Sequence, residues 1–214
     1  METGSKQAGL PLQVPVIGIL RGVEEDFFGE LMAAAFEEGL QAIEVTMNTP
    51  GAERIVARQR HKVPEGRLLG MGTICNKEEA RRALSAGAMF LVTPNFDPEV
   101  IDLAREHSIP MVAGALSPSE VYAAWQRGAD MIKVFPCGSL GGPRYIKELK
   151  GPFDHIPLAA VGGVSLTNLQ DYYAAGATAV GVGSSLFGRE ALARKNISEI
   201  GANVKKFIEQ CPYS

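Results

Sequence analysis

The residues with the plainest capacity for chemistry are a lysine and a glutamate, each set in its own apolar run. The lysine lies in Asp130-Met131-Ile132-Lys133-Val134-Phe135-Pro136. Run length, β-branched content and the closing proline predict a buried strand. Alternation along a strand puts Met131, Lys133 and Phe135 on one face and Ile132 and Val134 on the other. If the second face packs on helices, Lys133 points into whatever the strands enclose. An ammonium there is costly unless it is paired or deprotonated, which makes Lys133 a candidate amine nucleophile able to form a Schiff base with a carbonyl. The alternative is a buried Lys–Glu pair that only fixes strand register. The glutamate lies in Ile43-Glu44-Val45-Thr46-Met47-Asn48, where Glu44 and Thr46 share the face opposite Ile43 and Val45. A lysine pKa of about 10.4 must fall toward ~7–8 for catalysis. Desolvation and the charge of Arg21 push it down, and Glu44 pushes it up.

Two glycine clusters suggest a second kind of chemistry. Val161-Gly162-Gly163-Val164-Ser165 and Val182-Gly183-Ser184-Ser185 each follow a strand-like run. Glycine lets backbone N–H groups approach an anion, so the two together point to a phosphate site, although such junctions also use glycine for packing. Arg21, in Ile19-Leu20-Arg21-Gly22, brings a guanidinium to a strand end or makes a surface salt bridge. Thr46, Thr73 and Asn48 are small polar groups for the same region. Cys75, Cys137 and Cys211 are odd in number and far apart, as expected of reduced cytoplasmic thiols. Cys137 reads as a packing residue, and His61, His107 and His155 fall in different connections. No CxxC or HxxxH spacing supports a metal site.

The elements that must position these groups alternate regularly. Strand-like runs at 14–20, 42–47, 68–74, 90–93, 111–115, 131–135, 158–161 and 179–182 are separated by amphipathic stretches at 26–38, 52–60, 77–85, 98–106, 119–127, 144–150 and 168–174. Asn76, Asp97-Pro98 and Ser117-Pro118 are helix-start signals, and Gly39, Gly87, Gly128 and Gly176 end helices just before strands. Alternation implies a parallel sheet with right-handed crossovers. Eight units without a linker predict one (β/α)8 TIM barrel over 1–214, with 1–12 a lead-in or short helix, and a closing C-terminal helix within 190–214, over 196–210. An open doubly wound sheet is the competitor, but an early GxGxxG is missing. In a barrel, strand C-terminal ends carry the chemistry. A formal charge of −3 and no Lys/Arg cluster argue against a nucleic-acid partner. No run of 18 apolar residues would span a membrane, and the first residues do not read as a signal peptide.

Taken together, Glu44-Val45-Thr46, Gly72-Thr73, Thr93-Pro94, Lys133-Val134-Phe135-Pro136, Gly162-Gly163-Val164 and Gly183-Ser184 resemble the 2-keto-3-deoxy-6-phosphogluconate aldolases. That family includes the 4-hydroxy-2-oxoglutarate and 2-keto-3-deoxy-6-phosphogalactonate aldolases. The resemblance runs from about Val14 to Leu186. It implies a class I aldolase without metal or other cofactor, a homotrimer, making pyruvate and glyceraldehyde 3-phosphate from a phosphorylated sugar acid. It implies Lys133 as the Schiff-base lysine and Glu44 as the proton shuttle. Thr73, Pro94 and Phe135 would line the pyruvyl end, and Gly162, Gly163, Gly183 and Ser184 would hold phosphate. Two positions depart from the gluconate type: Asn48 stands where many members carry a carboxylate-binding arginine, and Val161 where they often carry threonine. Ile19-Leu20-Arg21-Gly22 and Gly142-Pro143-Arg144-Tyr145-Ile146-Lys147 resemble the galactonate branch, in which Arg21 takes over the carboxylate. The expectation is the galactonate epimer or an enzyme accepting both. The competing readings are a phosphate-binding barrel isomerase or epimerase with Glu44 as base, and a non-catalytic sugar-phosphate-binding barrel.

Overall fold

Eight short parallel strands close on themselves in sequence order: β1 (Val16–Leu20), β2 (Ala42–Thr46), β3 (Leu68–Gly72), β4 (Leu91–Val92), β5 (Met111–Ala115), β6 (Met131–Val134), β7 (Leu158–Val161) and β8 (Ala179–Val182). The computed structural model describes residue 10 and residues 12–212. Pairing of Val16 with Val180 and Gly18 with Val182 joins β8 to β1. The expected TIM barrel is therefore the fold, and the open sheet is excluded. The reading of 1–12 lies outside the described residues apart from Leu10 and Leu12.

Alternation along the strands sorts side chains into two cores. Ile43, Val45, Ile132, Val134, Val180 and Val182 face outward and pack on helices through Phe28, Leu31, Ile55, Ile101 and Phe207. Ile17, Ala42, Phe90, Val92, Val112, Met131, Ala159 and Ala179 fill the interior, with Leu10 buried among them. This filled lower barrel supports a site at the opposite, C-terminal end of the strands.

The helices are α1 (Glu25–Glu37), α2 (Ala52–Gln59), α3 (Lys77–Ala86), α4 (Pro98–Glu106), α5 (Pro118–Arg127), α6 (Pro143–Lys150), α7 (Leu169–Ala174), α8 (Ser184–Phe187), α9 (Arg189–Ala193) and α10 (Ile197–Ile208). Their ends obey the local signals. Asn76 Oδ1 accepts from Glu79 N at 2.9 Å, Asp97 Oδ1 from Glu99 N at 2.9 Å, and Ser117 with Glu120 forms a capping box. Gly39, Gly87, Gly128 and Gly176 all have positive φ, the left-handed turn that ends a helix.

The closing helix expected over 196–210 is α10, which Asn196 caps by accepting from Glu199 N at 3.2 Å. The start of the wider 190–214 segment differs: a separate short helix, α9, precedes it, and Lys195 with a left-handed φ of 54° divides the two. Strand ends also differ: β6 stops at Val134, and Phe135 enters the loop through a cis bond to Pro136.

Candidate active site

β2 and β6 each turn one ionisable side chain into the barrel. Glu44 is 1% exposed and Lys133 5% exposed. Glu44 lies opposite Ile19 on β1 and Gly70 on β3, and Lys133 opposite Gly114 on β5 and Ala159 on β7. Below them sit only apolar neighbours, among them Ile17, Val92, Val112 and Ala159. Above them opens a cavity of about 1110 Å³ to which both contribute.

The carboxyl of Glu44 has room because β3 carries glycine beside it. A Cβ at Gly72 would sit 2.4 Å from Glu44 Cδ, a distance no side chain tolerates. Glu44 Oε1 is buried without a hydrogen-bond partner among the described residues, and Glu44 and Lys133 form no ion pair within 4.0 Å. A lysine and glutamate that merely fixed register would be joined; these face a common space.

Burial dominates both titrations. It raises the Glu44 carboxyl above its ordinary value, although Lys133 and Arg21 pull the other way. It lowers the Lys133 ammonium below its ordinary value, against the pull of Glu44 and with the help of Arg21. Burial biases both groups toward their neutral forms, which favours a free amine and a carboxyl able to carry a proton. The Lys133 Nζ lies 5.2 Å from the centroid of the Phe135 ring, which shields one side of the amine.

Arg21, Thr73, Pro94, Phe135, Val161, Gly162, Gly163, Gly183 and Ser184 line this cavity with Glu44 and Lys133, as the sequence led us to expect, whereas Asn48 and Thr46 do not. Asn48 stands behind Arg21 instead. Arg21 Nη1 donates to Asn48 Oδ1 at 3.0 Å, and Nη2 donates to Thr73 Oγ1 at 3.4 Å. Thr73 holds a left-handed φ of 57°, uncommon for a threonine and a backbone cost of roughly 1–3 kcal/mol. Two side chains thus hold the guanidinium at the rim. Thr46 turns to Thr49, hydroxyl to hydroxyl at 3.0 Å.

At the other side of the cavity Gly162 and Gly163 have φ of 95° and 81°. Their loop is pinned from three directions. Asn168 Nδ2 donates to Gly163 O at 2.9 Å, Ser185 Oγ donates to Val164 O at 2.9 Å, and Gly138 N donates to Gly162 O at 2.9 Å. The first turn of α8 faces the same space through Ser184 and Ser185. Glycine-rich backbone and a strand-to-helix turn make this the natural anion-binding end.

Sequence reasoning did not single out Ser165, Ser185, Glu24, Phe27, Arg189 or Lys195, which also line the cavity. Ser185 adjoins a chosen glycine–serine pair and was within reach. Glu24 and Lys195 are brought in from opposite ends of the chain, and no local signal marks them. Cys137 is buried, its thiol pushed up to about 11 by burial, and packs as expected. Among the described residues, no three His, Cys, Asp or Glu side chains cluster to hold a metal.

Similarity to known proteins agrees with this geometry. Residues 11–203 match the family model for KDPG and KHG aldolases. The chain is 36% identical over 83% of its length, and 84% of the relative's, to a probable 2-dehydro-3-deoxy-6-phosphogalactonate aldolase of Rhizobium meliloti. It is 35% identical over 75% of its length, and 71% of the relative's, to a 2-dehydro-3-deoxy-phosphogluconate aldolase of Pseudomonas aeruginosa. Among solved structures, the Legionella pneumophila KDPG aldolase superposes with a TM-score of 0.83 at 27% identity, covering 90% of this chain and 93% of the other. In that crystal, pyruvate is captured as a covalent carbinolamine. With an inward lysine and glutamate in a closed barrel and a match spanning nearly the whole sequence, this chain belongs to the KDPG and KHG aldolase family.

Proposed function

We propose that the protein is a class I aldolase that cleaves a 2-keto-3-deoxy-6-phospho sugar acid to pyruvate and glyceraldehyde 3-phosphate. The observation that carries this reading is the pair of buried, unjoined groups, Lys133 and Glu44, facing one cavity. The Lys133 amine adds to the C2 carbonyl, and loss of water from the carbinolamine leaves a protonated imine. Glu44, as carboxylate, takes the proton of the C4 hydroxyl. The C3–C4 bonding pair flows into the imine, releasing the aldehyde and leaving an enamine. Protonation at C3 and hydrolysis return pyruvate and the free lysine. Glu44 carries the proton between these steps, and burial, by raising its pKa, suits it to take up and return that proton.

Arg21, held by Asn48 and Thr73, suits the substrate carboxylate, a planar partner for a forked donor. Pro94 and Phe135 enclose the pyruvyl carbons. Gly162, Gly163, Gly183 and Ser184 receive the phosphate. Val161 offers no hydroxyl near C4, which favours the galactonate epimer or acceptance of both, with 4-hydroxy-2-oxoglutarate as a further substrate. Val161→Thr is expected to shift the ratio of kcat/KM values toward the gluconate epimer, read by assay of both epimers. Exposed Leu116, Tyr122 and Leu140 offer apolar surface for self-association, and the assembly we propose is a homotrimer. The free thiols suit the cytoplasm, and no described helix is long and apolar enough to cross a membrane.

Borohydride reduction in the presence of pyruvate tests the reading. A pyruvate-sized mass is expected on the Lys133 peptide and not in Lys133→Ala. Pyruvate binding without any adduct would sink it in favour of an imine-free isomerase.

A further inference from the structure

The backbone cradle at the glycine end supplies N–H groups but no full charge, while a sugar phosphate brings close to two negative charges. Donors with partial charge alone hold a dianion weakly, and a guanidinium adds both charge and a forked donor geometry. The short segment after α8 carries three basic side chains, Arg189, Arg194 and Lys195. The structure gives them three different situations.

Arg194 is engaged away from the cavity, with Nη2 3.0 Å from Glu199 and 4.0 Å from Glu190. Lys195 lines the cavity but is already neutralised: its Nζ lies 2.6 Å from Glu24 Oε2, a residue just before α1, and 5.9 Å from the centroid of Phe27. The Arg189 side chain is exposed, lines the same cavity and makes no hydrogen bond or ion pair with any described residue. With Glu24 and Lys195 cancelling, Arg189 and Arg21 are the two cavity-lining arginines without an acidic partner among the described residues, and Arg21 is held by Asn48 and Thr73.

Its position is built, not incidental. Gly188 turns the chain between α8 and α9 with a φ of 83°, and a Cβ there would lie 2.3 Å from Asn203 Nδ2. Asn203 on α10 also donates to Phe187 O at 3.2 Å. The turn is thereby clamped, and α9 starts at Arg189, which lines the same cavity as Ser184 and Ser185. The Lys195–Glu24 pair fastens the far end of α9 to the start of α1.

We propose that Arg189 is a specificity-determining residue that binds the phosphate of the substrate by its guanidinium, so that the enzyme selects phosphorylated over unphosphorylated sugar acids. Arg21 and Arg189 then hold the two anionic ends of one substrate, with Lys133 and Glu44 between them. The inference rests on the aldolase reading above.

The test compares wild type, Arg189→Ala and Arg189→Lys in cleavage of a 2-keto-3-deoxy-6-phospho sugar acid and of the same acid without phosphate. Arg189→Ala is expected to reduce the preference for the phosphorylated acid about tenfold, the scale of one charge-assisted contact. The loss should fall on KM with kcat within about twofold, shrink with added salt, and be partly rescued by Arg189→Lys. Melting temperature against inorganic phosphate reads the same contact without turnover, and its rise should require about tenfold more phosphate in Arg189→Ala. A preference and a phosphate response both unchanged in Arg189→Ala, or a loss falling equally on both acids, would overturn the assignment. Absence of a pyruvate adduct on wild-type Lys133 would instead strike the aldolase reading, with the phosphate response still judging Arg189.

Discussion

Lys133 and Glu44 are perturbed in opposite directions by one cause, the loss of water around them, and each then acts on the other. Burial lowers Lys133, and the Glu44 carboxylate raises it again. Replacing Glu44 by Gln removes that opposing pull, so less energy favours the ammonium and the amine is freed at lower pH. The pH profile of pyruvate trapping is therefore expected to move toward acid in Glu44→Gln, while cleavage turnover falls by about 10²–10⁴-fold for want of the proton carrier. A profile moving toward base would contradict the electrostatic account. Arg21 acts with the opposite sign, since it lowers both groups, and Arg21→Gln should move trapping toward base. Both chemical residues were legible because alternation around Ile132–Val134 and Ile43–Val45 sets which way they face. The role of Asn48 was not legible, since its contact with Arg21 joins the ends of two different strands.

At the scale of elements, small residues and caps decide where the chemistry can stand. Gly72 ends β3 beside the Glu44 carboxyl, so Gly72→Ala is expected to cost about 1–3 kcal/mol by overpacking and to displace the carboxyl. Denaturant midpoints and turnover measured together would show both effects. Asp97 caps α4 far from the cavity, accepting from Glu99 N and Val100 N. Asp97→Ala should cost about 1 kcal/mol of stability and leave pyruvate trapping as it was. These caps were readable because each lies within a few residues of what it satisfies. The short α9 was not, because Gly188 opens it with no side-chain cap, whereas Asn196 marks the start of α10. Arg189 went unread with it: that it lines the cavity is set by tertiary packing, and no local signal marks it.

For the whole molecule, closure is the central fact. β1 pairs with both β2 and β8, so no strand can leave without opening the barrel, and we propose that 1–214 unfolds as one domain. Trp125 fluorescence and far-UV circular dichroism should report one coincident thermal transition. If three copies assemble, the midpoint should rise with protein concentration and sedimentation should give a trimer; a monomer at micromolar concentration would remove the trimer from the reading.

By itself the sequence determined the alternation of strands and helices, their caps and turns, and the faces on which Lys133 and Glu44 lie. Those follow from periodicity and from backbone demands met within a few residues. Only the tertiary structure decided that the lysine and glutamate share a space without joining, that Asn48 serves Arg21, and that one arginine after α8 faces the cavity unpaired. Those are distances between strands and helices remote in sequence, and the closing of the barrel is what sets them.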